Sequence, residues 1–139
     1  MCGRWSVVEC VEHVVMGEEV MFASLSTAAV AAPARNESRE RAILERGGNR
    51  ERRVAAPLST LPAARFASLA EAWRHFFAAR ARTQRFVRDC PRDLRALAAT
   101  HPIFGPLNGY ELLLLMAVHP LRHAYQIREI RAGDAGLRP

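Results

Sequence analysis

Two short signatures, Ser6-Val7-Val8-Glu9 and Ser68-Leu69-Ala70-Glu71, and a third of the same kind, Asn108 with Glu111, fix the starts of three long helices. A Ser or Asn followed three residues later by Glu can satisfy the unpaired N–H groups of a first helical turn reciprocally. Each signature opens a run whose apolar residues recur at helical spacing. The first run predicts a helix from Val7 to about Ala29, burying Val11, Val14, Val15, Met21 and Phe22, with Trp5 stapled towards Cys10. Its apolar positions are spread too widely for one narrow stripe, which suits contact with several neighbours. The second predicts a helix to Asp89, stopped by Pro91, with Leu69, Trp73, Phe76, Phe77 and Val87 at helical spacing. The third runs to about Arg131 with Leu112, Leu115, Met116, Ile127 and Ile130 inward. Shorter helices are predicted at 37–46 and 92–99, with a loop at 101–106. No segment alternates as a half-buried strand does, so the predicted fold class is all-α.

Residues 30–67 join the first two long helices. Pro33, Gly47-Gly48, Pro57 and Pro62 punctuate this stretch, which far exceeds the ~2–8 residues that usually join antiparallel helices. A connection of that length can cross the bundle and leave the two helices parallel. The whole chain, 1–139, reads as one domain, with a frayed tail at 133–139 marked by Gly133, Gly136 and Pro139. The richest apolar run, Leu112 to Val118, is far shorter than the ~20 residues that span a bilayer. The start lacks the basic and apolar regions of a signal peptide, which makes a cytoplasmic location the expectation. Cys2, Cys10 and Cys90 are odd in number and unrelated in spacing, against both a disulfide framework and a cysteine zinc site. The formal charge of +6 comes from 20 basic residues, all arginine, against 14 acidic ones. These arginines are interleaved with acids, as in Glu37-Ser38-Arg39-Glu40-Arg41, and not gathered with aromatics on one face. Nucleic acid is therefore not an expected partner.

Chemistry concentrates in His119-Pro120-Leu121-Arg122-His123. Side chains four apart on a helix lie one above the other, so His119 and His123 can aim two imidazoles at one point, as a divalent transition metal requires. Two ligands leave such a site short of the three that a catalytic zinc usually takes. His13, His75 and His101 are the other candidates, with His13 best placed inside the first helix. Pro120 leaves two outcomes open: a kink at Met116–Pro120 that keeps both histidines inward, or one that misaims His119.

The segment HPIFGPLNGYELLLLMAVHPLRHAYQIREI at 101–130 resembles the C-terminal part of the DinB-like superfamily, with its HPxFG loop and HxxRHxxQI helix. GRWSVVECVEHVV at 3–15 resembles the family's second helix, and Phe66 to Arg85 its third. The resemblance implies an up-down-down-up four-helix bundle whose long crossover falls at 30–67. Family members carry a further helix before the GxWS motif, so this chain is expected to lack helix one. It would then be a truncated form, a product of a mis-assigned start, or a bundle completed by a second subunit, a homodimer. The resemblance further implies a divalent metal, zinc or nickel, held by His13, His119 and His123. Gln126 is implied as a pocket residue or outer partner of these ligands, while Arg122 is expected to pair with a carboxylate.

Characterised relatives use a low-molecular-weight thiol, such as bacillithiol or mycothiol, so the resemblance implies a metal-dependent thiol S-transferase acting on a small molecule. A coordinated thiol loses its proton and can attack an electrophile. The same centre could activate water, making a hydrolase. A non-catalytic, stress-related or interaction bundle with a residual or lost site is the third expectation. No catalytic base or nucleophile is singled out by the sequence.

Overall fold

The computed structural model describes residues 5–51 and 54–133. Cys2, Gly3 and residues 134–139 of the expected frayed tail at 133–139 lie outside the described residues. The helical signatures act as read. The Ser6 hydroxyl accepts from the Glu9 N–H at 3.2 Å, and the Glu9 carboxylate accepts from the Ser6 N–H at 2.6 Å. They open α1, Val7–Ser26. Asn36 caps α2, Glu37–Gly47; Ser68 caps α3, Leu69–Asp89; Asn108 and Glu111 form the capping box of α4, Gly109–Arg131.

α1 is the centre of the molecule. Its Glu18 meets Arg80 and Thr83 of α3, and Phe22 meets Phe86, so the two helices run parallel. His13 and Gly17 of α1 meet His119 of α4, while Leu25 approaches Gly109, so that pair is antiparallel. The long connection at 30–67 thus joins parallel helices, as its length allows. α2 lies on the far side of α4, with Gly47 against Val118. One apolar cluster gathers Met21, Leu25, Ile43, Leu107, Leu112, Leu115 and Met116. Another gathers Val11, Val14, Val15, Phe66, Ala72 and Phe76.

Two expectations are corrected. The helix foreseen at 92–99 is a 3₁₀ turn at Leu94–Ala96 followed by a strand, β2, Leu97–His101. β2 pairs antiparallel with β1, Ala29–Val30, and with β3, Gly105–Asn108, giving a three-stranded sheet in the order β1-β2-β3. The hairpin turn closes at Gly105, whose φ of +68° only glycine adopts without strain. Strands this short carry too few residues for alternation to be read, although Leu97 and Ala99 do point inward while Ala98 does not. The fold remains mostly helical. The apolar stripe of α3 is also divided: Phe76 is buried, but Leu69, Trp73, Phe77 and Val87 are exposed, Phe77 to 63%.

Pro120 lies inside α4, and the helix continues through it. Proline lacks the N–H that would reach the Met116 carbonyl. Arg80 supplies the missing donor: its Nη2 donates to Met116 O at 2.8 Å and to the buried Glu18 carboxylate at 2.9 Å. Glu18 also accepts from the Thr83 hydroxyl at 2.8 Å. The sequence puzzle thus has a partner on another helix.

Candidate metal centre

α1 and α4 bring three of the five histidines to one point. His13 Nε2 lies 3.2 Å from His119 Nε2, and His123 Nε2 lies 3.1 Å from it. One nitrogen from each ring falls within 4.8 Å of the other two. His75 packs instead on the Phe66 ring, and His101 accepts the Ile103 and Phe104 N–H groups in the hairpin turn. Of the three candidates for a third ligand, His13 alone joins the pair, and Pro120 does not misaim His119.

The approach of α4 to α1 depends on Gly17, one turn after His13. A Cβ at position 17 would stand 2.8 Å from His119 Cε1. Only a glycine leaves room for that imidazole, a role to which a lone glycine inside a helical pattern was the sequence signal.

Tautomers are set from outside the cluster. His13 Nδ1 donates to the Thr60 carbonyl at 2.7 Å, leaving Nε2 with its lone pair. The loop bearing Thr60 is held by Glu12, which is fully buried and accepts the Ala63 and Arg65 N–H groups at 2.6 and 3.2 Å. Arg65 adds a two-pronged pair with Glu19. His123 Nδ1 faces Gln126 Oε1 at 2.9 Å. Trp5 covers the cluster, its ring 4.8 Å from that of His13 and 6.3 Å from that of His123. Arg122 donates to the Asn49 carbonyl. Glu12, Gly17 and Thr60 are site residues that sequence reasoning missed.

All three imidazoles are held neutral. Burial lowers the His13 pKa, while burial and then the neighbouring histidines hold that of His119 well below the ordinary range. Burial, with His13 beside it, takes His123 down to about 3. Neutral imidazole is the form that binds metal.

The sequence matches the DinB superfamily over residues 2–127. The chain belongs to the DinB superfamily. Among curated proteins and among solved structures nothing matches.

The DinB cluster fits a metal on its own geometry. Three nitrogens at ~2.0–2.1 Å from a tetrahedral ion stand about 3.3–3.4 Å apart, close to the two separations from His119 Nε2. Without a cation the packing is unfavourable, because one proton on His119 Nε2 can satisfy only one of two facing lone pairs. The three rings lie at 62–75° to one another, a spread that lets their nitrogen edges converge instead of stacking.

Beside His123 a cleft of about 230 Å³ opens between α3 and α4 over α1. Val11 and Val14 form its floor, Trp73, Pro120 and Ile127 its sides, and Arg128 and Arg131 its rim. No described helix is long and apolar enough to cross a membrane.

Proposed function

We propose that this DinB superfamily protein binds one divalent metal, zinc or nickel, through His13, His119 and His123 and uses it for thiol S-transfer. The carrying observation is the convergence of three imidazoles, with His119 Nε2 lying 3.2 Å from that of His13 and 3.1 Å from that of His123, and the Nδ1 edges of two rings turned to oxygen acceptors. Three protein ligands leave a fourth position open for a substrate atom. When bound, the ion would supply a Lewis-acidic position at which a thiol ionises near neutral pH.

The chain's own contribution is orientation and exclusion of water. Thr60 and Gln126 hold two rings in the tautomer needed, and Trp5 shields them from one side. The cleft beside His123 would seat the apolar body of a small electrophile, whose bond to its leaving group breaks as the thiolate sulfur attacks. Free thiols at Cys10 and Cys90 are in keeping with a cytoplasmic setting. The exposed Trp73 and Phe77, stacked 5.8 Å apart, support a homodimer as the working form.

Cobalt-loaded protein mixed with 2-mercaptoethanol tests the thiol step. A new sulfur-to-cobalt charge-transfer band is expected, and its absence from His123→Ala protein. Cobalt binding without any such band would contradict thiol chemistry and leave metal binding standing.

A further inference from the structure

Arg50 lies in the long connection, far in sequence from any histidine. Its guanidinium reaches across to α4 with three hydrogen bonds. Nε and Nη2 donate to the two Glu129 carboxylate oxygens at 3.0 and 2.8 Å, and Nη1 donates to Gln126 Oε1 at 3.1 Å. That same Gln126 oxygen faces His123 Nδ1 at 2.9 Å.

The chemistry of these groups leaves one consistent assignment. A guanidinium can only donate, so the amide atom it meets must be the oxygen. An oxygen there can only accept, so His123 Nδ1 must carry the proton. Nε2 is then the unprotonated nitrogen, and it is the one aimed at His13 and His119. Without Arg50 the amide is free to turn over and present its NH₂ to Nδ1. His123 would then take the opposite tautomer, with a proton on Nε2 at the position a metal needs. Glu129 is one turn-length from Gln126 and holds the arginine fork in plane, which a flexible ammonium would not reproduce.

We propose that Arg50 is a positioning residue for the metal centre: through Gln126 it locks His123 in the tautomer whose Nε2 is free to bind. This deepens the metal-binding reading and rests on it. It also gives the connection a part at both ends of the cluster, since Thr60 from the same segment fixes His13.

The test is imidazole ¹⁵N NMR on the metal-free chain together with competitive zinc titration, for wild type, Arg50→Gln and Arg50→Lys. Wild type is expected to show His123 protonated at Nδ1 only. Both variants are expected to show a tautomer mixture at His123, an unchanged His13, and zinc affinity lower by about tenfold or more, as loss of an outer partner usually gives. A single Nδ1–H tautomer persisting in both variants would overturn the proposal whatever zinc does. A mixture with unchanged zinc affinity would overturn it too. If Arg50→Gln does not fold, Arg50→Lys, which keeps the charge, carries the same readings. If wild type takes up no zinc, the metal reading fails while the tautomer comparison still decides what Arg50 holds.

Discussion

At the scale of single residues, the centre is made by what its neighbours withhold. Gly17 withholds a side chain, and Gly17→Ala sets two effects against each other. Alanine is the better helix former by about 1 kcal/mol, but its Cβ would stand 2.8 Å from the His119 ring. We predict that zinc affinity falls by roughly tenfold or more, read by competition with a chelating dye, while α1 stays helical by circular dichroism. Unchanged affinity would mean that His119 has slack the packing does not show. The three imidazoles withhold protons. Unfolding restores their ordinary basicity, so below about pH 6.5 the unfolded chain binds more protons than the folded one, for His123 down to about pH 3. Metal-free protein is therefore predicted to lose stability as the pH drops through that window. Urea midpoints measured between pH 7 and pH 4 would show it; a flat profile would contradict the buried, neutral cluster. His13, His119 and His123 were legible in sequence because spacing and the family motif named them. Glu12 and Thr60 were not, since a carboxylate bonding backbone N–H groups over fifty residues away leaves no local pattern.

At the scale of elements, the cost of Pro120 is met on α3. Arg80 serves both the orphaned Met116 carbonyl and buried Glu18, so Arg80→Leu takes the donor from the carbonyl and leaves the Glu18 charge with only the Thr83 hydroxyl. Breaking a buried ion pair by removing one partner costs about 3–5 kcal/mol, and we predict a loss of at least about 3 kcal/mol in chemical denaturation. A loss below about 1 kcal/mol would show that the contact is merely a surface pair. Helix starts were readable to the residue because caps are local chemistry, as at Ser6, Ser68 and Asn108. The sheet was not, because β1 has two residues and pairs with β2 across the chain, Ala29 with Ala98, while the β2–β3 hairpin joins strands too short for alternation to show. The inward face of α3 was not legible for a related reason. Trp73 and Phe77 keep helical spacing with Phe76, and spacing alone cannot say which side of a stripe meets a neighbour.

At the scale of the whole molecule, α1 carries the load on two sides, with α3 parallel to it and α4 antiparallel. The exposed aromatics of α3 predict self-association. Phe77→Glu is expected to shift the chain from dimer to monomer in light scattering, with secondary structure unchanged; a monomeric wild type at tens of micromolar would contradict this. The central claim is that this DinB superfamily bundle is built around a three-histidine metal centre. Elemental analysis of protein purified without a metal-affinity tag tests it most directly. The account predicts about one zinc or nickel per chain, lost in His13→Ala, His119→Ala and His123→Ala alike while His75→Ala keeps it. Wild-type protein that stays metal-free after incubation with zinc and nickel, or that binds equally well without His13, would contradict it.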